Sequence, residues 1–125
     1  MSSYVPGQCN IGVSEIAARK RVGLIGLMTA LILLVIFELA KVERSWYLLE
    51  FIPLQMGVTG YLQARKKFCL AFGFMGIFNF NKIGNKEEIL EAELRKIDRK
   101  AAVNLLMQSV IIALALTLIC YLIAR

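Results

Sequence analysis

The chain contains no histidine and only three cysteines in its 125 residues. Without histidine it has no imidazole for haem ligation, for a histidine-containing zinc site or for general acid/base catalysis. Residues 1–12 also lack the basic start and the apolar core of a signal peptide. Chemistry of these kinds would therefore need residues supplied by a partner, and we predict no cofactor for the chain itself.

Apolar residues, in contrast, are abundant and make up 58% of the sequence. We assign the chain to the membrane class and treat residues 1–125 as a single domain. Residues 22–40 and 103–124 are apolar runs, and nineteen helical residues cover about 28 Å, close to the hydrocarbon thickness of a bilayer. Each run is therefore predicted to be a transmembrane helix.

A further crossing is predicted over residues 46–64. Trp46 and Tyr47 stand at its start, as is typical of side chains at headgroup level. Pro53 falls within its first two turns, so it either kinks this helix or marks a helix start nearer to itself. The return crossing would bring the chain back to the side of its N-terminus.

Two other segments complete the predicted fold. Residues 68–80 are apolar but include two glycines, and as a helix they would cover only about 20 Å, so we expect an interfacial or re-entrant segment. Residues 86–102 are predicted to form a cytoplasmic amphipathic helix that is continuous with the last crossing. The predicted fold class is thus an all-α polytopic membrane protein with three transmembrane helices.

The distribution of cations predicts the orientation. With three crossings, twelve lysines and arginines lie on the N-terminal side and three on the other. By the positive-inside rule the N-terminus is cytoplasmic and the C-terminus lies outside. The three cations on the outer side are Lys41, Arg44 and Arg125.

Most of the cytoplasmic cations flank the predicted crossings, where anionic headgroups attract them. Since no surface pattern of interleaved basic and aromatic residues accompanies them, we expect a bilayer and not a nucleic acid as their partner. The predicted membrane-surface residues are Arg19, Lys20, Arg21, Arg65, Lys66, Lys67, Arg95, Lys96, Arg99 and Lys100.

The sequence contains two further motifs. The first is Cys9-Asn10-Ile11-Gly12 with Glu15-Ile16 and Arg19, and the second is Gln63-Ala64-Arg65, Phe68-Cys69, Phe72-Gly73, Gly76 and Phe78-Asn79-Phe80. Both resemble motifs of a family of small bacterial integral membrane proteins that has no established activity. The resemblance covers about the first two thirds of the chain. It implies a multi-pass protein of the bacterial inner membrane and adds no mechanism.

Cys9 and Cys69 are the candidate reactive or metal-binding residues, because both fall on the cytoplasmic side, where structural disulfides are rare. The hairpin of the first two crossings brings residues 21 and 65 near each other. The N-terminal segment is then predicted to fold back over residues 68–80 and to bring Cys9 close to Cys69. Two cysteines do not complete a tetrahedral zinc site, so a metal would need a second copy or another partner. Simple packing explains both residues equally well.

Polar and small residues within the apolar runs suggest further contacts. Glu38 and Glu50 lie near the outer ends of their helices, where we expect them to reach the surface beside Lys41 and Arg44. Amide side chains are expected to hydrogen-bond between helices. Glycine and alanine faces in the first two crossings permit close helix contact within the hairpin or in a homo-oligomer; they comprise Gly23, Gly26, Ala30, Gly57, Gly60 and Ala64.

Three classes of function remain open. The sequence favours a non-enzymatic subunit or scaffold of a membrane complex, because it has little soluble mass and no catalytic constellation. An oligomeric channel or carrier is the second class. A thiol redox or metal-binding protein that uses Cys9 and Cys69 on the cytoplasmic face is the third.

Overall fold

The computed structural model describes residues 4–80, 83 and 86–124 and is mostly helical. The elements are α1 (Val13–Ala40), a 3-10 helix (Arg44–Glu50), α2 (Phe51–Lys66), α3 (Leu70–Met75), β1 (Ile77–Phe78), β2 (Glu87–Glu88) and α4 (Ala92–Ile123). Helix α2 packs against both α1 and α4, and the short helix α3 packs against α4.

Helices α1 and α4 are each long and apolar enough to cross a membrane. They contain 28 and 32 residues, or about 42 and 48 Å of helix. Only 22% and 17% of the residues in their most apolar stretches are buried within the protein. Most of their apolar side chains therefore point away from the rest of the chain.

The segment predicted as the second crossing is divided between two elements. The 3-10 helix runs to Glu50, and α2 then contains 16 residues. Alone α2 spans about 24 Å, which is short of a bilayer core, so the structure does not by itself establish a third crossing. Pro53 is the third residue of α2, where its missing N–H costs no intrahelical bond. It therefore marks a helix start, which was the second of the two predicted alternatives.

The prediction of a helix over residues 86–102 is wrong for its first six residues. α4 begins at Ala92, whereas Glu87 and Glu88 form β2, which pairs antiparallel with β1. Next to this pairing, Ile89 is buried and its N–H donates to the carbonyl of Gly76 at 2.8 Å. The strand pairing and the burial of Ile89 outweigh the local preference for helix. From Ala92 onward the predicted continuity with the last apolar run is confirmed.

Residues 68–80 do not form one helix. They contain α3, of six residues, and then β1. The chain turns at Gly76, whose φ of 70° is a left-handed conformation that glycine adopts without strain. Since α3 has only six residues, this segment contains no helix long enough to cross a bilayer core, and its depth relative to a bilayer stays a prediction.

Two pairs of glycines let α1 and α2 pack backbone to backbone. A Cβ atom placed on Gly60 would lie 2.5 Å from the backbone nitrogen of Gly23, and Gly26 meets the backbone of Gly57 in the same way. Any side chain at these positions would force the helices apart. The predicted small-residue faces thus serve the hairpin of α1 and α2.

Candidate functional site

The N-terminal segment, residues 4–12, folds back over residues 68–80, as the sequence predicted. Asn10 N donates to the carbonyl of Lys67 at 3.1 Å, and Asn79 N donates to the carbonyl of Asn10 at 3.0 Å. Gly12 N donates to the carbonyl of Asn79 at 2.9 Å, and Ile11 forms a parallel bridge with Asn79. Residues 10–12 are therefore held in an extended conformation beside Asn79, near the end of residues 68–80.

Gly12 is required at this crossing for steric reasons. A Cβ atom placed on it would lie 2.9 Å from Cα of Phe80. The backbones of the two segments therefore approach too closely for any larger residue. This contact brings the two sequence motifs together in space.

Asn10 joins the two segments through its side chain as well. It is fully buried, its Nδ2 donates to the carbonyl of Cys69 at 3.2 Å, and its Oδ1 accepts from Cys69 N at 2.7 Å. The carboxamide thus pairs with Cys69 as a peptide group of a neighbouring strand would. Both of its functional atoms are satisfied, which removes the cost of burying them.

Glu15 and Arg19 form a buried ion pair beneath this strand. Glu15 is 3% exposed, its Oε2 lies 3.0 Å from Arg19 Nη1, and its Oε1 accepts from Asn79 Nδ2 at 3.1 Å. Arg19 also donates from Nη2 to Cys69 Sγ at 2.9 Å and lies over the ring of Phe72. We call Asn10, Glu15, Arg19, Cys69 and Asn79 the buried polar cluster.

Tyr4 and Asp98 fasten the start of the N-terminal segment to α4. Asp98 is fully buried; it accepts from the Tyr4 hydroxyl at 2.7 Å and from Gly7 N at 2.6 Å. The Tyr4 ring stacks on Phe78, with 4.9 Å between centroids. Burial, and then the hydrogen bond to Asp98, raise the pKa of Tyr4 well above its ordinary value.

Sequence reasoning missed the roles of Asp98 and Tyr4, although a signal for Asp98 was present. Asp98 lies four residues after Leu94 and four before Ala102, on the buried face of α4. An acid on an apolar helical face calls for a buried donor. Tyr4 carries no comparable signal, because its partner is distant in sequence.

The structure brings the segments of Cys9 and Cys69 together but gives each sulfur its own partner. Cys9 is half-buried and its Sγ lies 3.7 Å from the carbonyl of Ile11, while Cys69 is 2% exposed and bonded to Arg19. Among residues 4–80, 83 and 86–124, no group of three or more histidine, cysteine, aspartate or glutamate side chains could hold a metal ion. A metal held by Cys9 and Cys69 with a partner's ligands stays a prediction.

Of the ten basic residues predicted at the membrane surface, Arg19 has a different role. Its side chain is 19% exposed and its charge is paired with Glu15 inside the protein. Arg95 donates from Nε to the carbonyl of Ile89 at the start of α4. Arg95 and the other eight cations are exposed.

At the opposite end of the helices, Glu38 is exposed, as expected, whereas Glu50 is not. Glu38 accepts from the Tyr47 hydroxyl at 2.7 Å, and Arg44 donates to the carbonyl of Ala124 at 3.0 Å. Glu50 is 1% exposed, and its Oε1 has no hydrogen-bond partner in the described part of the chain. The expected reach of Glu50 to the surface is therefore wrong.

Amide side chains link α2 to α4, as predicted. Gln55 Nε2 donates to Thr59 Oγ1 at 2.7 Å and to Ser109 Oγ at 3.0 Å. Lys66 donates from Nζ to Oε1 of Gln108. The Oε1 atom of Gln55 is buried without a donor among the described residues.

Comparison of the chain with protein-family models, with curated proteins and with solved structures gave no match. The functional argument therefore depends on the geometry of the chain itself.

Proposed function

We propose that this chain is a non-enzymatic subunit or scaffold of a bacterial inner-membrane complex. The observation that supports it most directly is the closure of the buried polar cluster. Asn10, Glu15, Cys69 and Asn79 are buried and bonded to one another or to Arg19. Groups arranged in this way hold the N-terminal segment in place and leave no reactive side chain of the cluster open to a substrate.

The outward-facing apolar surface supports the membrane location. Exposed side chains along α1 and α4 are mostly apolar, and in water they would form a patch far larger than a soluble monomer usually presents. Lipid tails or a neighbouring subunit would cover these apolar side chains and remove the free-energy cost of exposing them to water. The exposed cations near the ends of α2 and α4 would then meet anionic headgroups.

We propose three crossings, with the 3-10 helix and α2 together forming the second. This places the N-terminus and residues 68–100 in the cytoplasm and the C-terminus outside. A reporter inserted at Lys86 is expected to register as cytoplasmic, and one fused after Arg125 as extracytoplasmic. If both register on the same side, α4 does not cross the membrane and this topology is rejected.

The scaffold role is tested by native electrophoresis of membranes dissolved in a mild detergent. We expect the chain in an assembly of defined size that contains another membrane protein or further copies. Replacement of Asn10 by alanine should dissociate it, while replacement of the exposed Asn104 should not. A chain that migrates as a monomer in both cases would reject the proposal.

A carrier or channel is the second candidate, and two buried acceptors, one at the end of the 3-10 helix and one on α2, favour it. Glu50 Oε1 and Gln55 Oε1 each lack a donor among the described residues, and protonation of Glu50 or a cation bound to either oxygen would offset the cost of burying them. Purified protein in liposomes would then conduct protons or cations, and Glu50→Gln would abolish the flux. Flux that is absent from the native protein excludes this candidate.

A further inference from the structure

A groove lies along the outer side of the hairpin formed by α1 and α2. Its volume is about 470 Å³, within the usual range for sites that bind small molecules. Gly23 lies at its floor, where the absence of a side chain lets the two helices meet. Leu24 and Leu27 of α1 and Tyr61 of α2 also line it, and all three side chains are exposed.

One end of this groove is cationic. Lys20 lies one helical turn before Leu24, and Arg65 lies one turn after Tyr61. Because α1 and α2 run antiparallel, these two positions fall at the same end of the hairpin, and both side chains line the groove. Arg65 Nη1 also lies 3.5 Å from the Tyr61 hydroxyl.

Neither cation is neutralised within the described part of the chain. The nearby acid, Glu15, is already bonded to Arg19 and Asn79. Lys20 and Arg65 are exposed and form no ion pair with a described carboxylate. Two unpaired positive charges therefore stand at the mouth of an otherwise apolar groove.

We infer that this groove binds one phospholipid with an anionic headgroup. Its phosphate would lie between Lys20 and Arg65, and an acyl chain would lie along Leu24, Leu27 and Tyr61. A free phosphate would leave the apolar lining uncovered. A zwitterionic lipid would place its ammonium group near two cations without a carboxylate to balance them. A helix of another protein would need an acidic side chain of its own opposite Lys20 and Arg65.

This inference depends on the proposed membrane location and adds a defined ligand to it. The test is native mass spectrometry of the protein in mild detergent, with added phosphatidylglycerol or phosphatidylcholine of identical acyl chains. We expect one phosphatidylglycerol to be retained in preference. The double variant Lys20→Gln/Arg65→Gln should lower that preference about tenfold. The matched variant Lys41→Gln/Lys86→Gln removes two exposed charges that lie outside the groove and outside the predicted membrane-surface set, and it should leave the preference unchanged.

The acyl part of the site is tested with Leu24→Trp, which fills the groove and should weaken retention of both lipids. Soluble glycerol phosphate separates the two sources of phosphate, because it should not displace the lipid. The inference is overturned if glycerol phosphate displaces the lipid, if the two lipids are retained equally, or if the protein is found as a lipid-free dimer. Carbonate extraction of membranes tests the membrane location separately, so a failure of lipid selectivity is distinguishable from a failure of the proposed function.

Discussion

Arg19, in the second turn of α1, donates from Nη2 to the sulfur of Cys69 at 2.9 Å. The two residues are fifty positions apart, and the contact joins the helix that begins the bundle to the segment that follows its second helix. The same guanidinium pairs with Glu15 through Nη1. One cation therefore connects an acid of its own helix with a thiol of another segment.

We expect Arg19 to shield Cys69 from alkylation. In a chain that retains Cys69 alone, with Cys9 and Cys120 replaced by serine, Cys69 should react slowly with a maleimide in native membranes. Arg19→Ala should speed the reaction, because it removes the side chain that covers the Cys69 sulfur and the Phe72 ring and so opens a thiol that is only 2% exposed. The control is Lys20→Ala, which removes an exposed cation one residue away. Equal rates in the two variants would show that Arg19 does not protect the thiol.

Asn10→Ala is expected to destabilise the fold by about 1–3 kcal/mol, because it leaves the buried N–H of Cys69 without an acceptor, while the Cys69 carbonyl still accepts from Gly73 N. Thermal unfolding in detergent measures the loss. Asn104→Ala, at an exposed position, should leave the melting temperature nearly unchanged. A similar small shift in both variants would contradict the structural role of Asn10.

The long helices could be predicted from sequence because an apolar run is a local property. The limits of the apolar runs, residues 22–40 and 103–124, can be read directly from the sequence. The start of α4 could not be found in this way. The residues next to Glu87 and Glu88 in the sequence favour a helix. The two glutamates nevertheless pair with residues 77 and 78, and a local sequence pattern does not reveal this pairing.

The candidate site could be predicted only in outline. The fold-back of the N-terminal segment followed from the geometry of a tight hairpin, and the motif residues Asn10 and Asn79 do meet. No local pattern indicates that Arg19 points inward to Glu15 and not toward headgroups. Whether an arginine pairs with an internal carboxylate or with a lipid headgroup depends on whether its side chain is buried. A count of charges carries no information about burial.

Gly60→Ala tests the backbone contact between α1 and α2. The added methyl group would meet the backbone of Gly23 at 2.5 Å, so the helices must separate. We expect a large loss of thermal stability. Thr29→Ala changes an exposed residue of α1 and serves as the control. Unchanged stability of Gly60→Ala would show that the helices are not in contact there.

The raised pKa of Tyr4 predicts a dependence of stability on alkaline pH. Since the folded state favours the neutral phenol, this contribution is fully present below the ordinary pKa of about 10 and is lost as pH rises through the higher folded value. The difference in tyrosinate absorbance between the native chain and Tyr4→Phe isolates this one hydroxyl. The Tyr4 hydroxyl should ionise at a higher pH than the hydroxyl of an exposed tyrosine. An ordinary titration would mean that Tyr4 does not bond to Asp98 in solution.

The last prediction concerns Cys9 and Cys69, whose segments are joined at Asn10. Because Asn10 pairs with both Lys67 and Cys69, the residue before it in sequence is held beside the same segment. Mild oxidation of membranes that contain Cys120→Ser should therefore link Cys9 to Cys69 within one chain, and Arg19→Ala should increase the yield by freeing the buried sulfur.

A crosslink between two chains would instead support a site shared by two copies, which is the arrangement that a metal would need. Asn10→Ala is the informative comparison, since it loosens the segment without altering either thiol. If neither an intrachain nor an interchain crosslink forms in any of these backgrounds, a two-cysteine site is excluded. Both residues then serve to pack the N-terminal segment against the bundle.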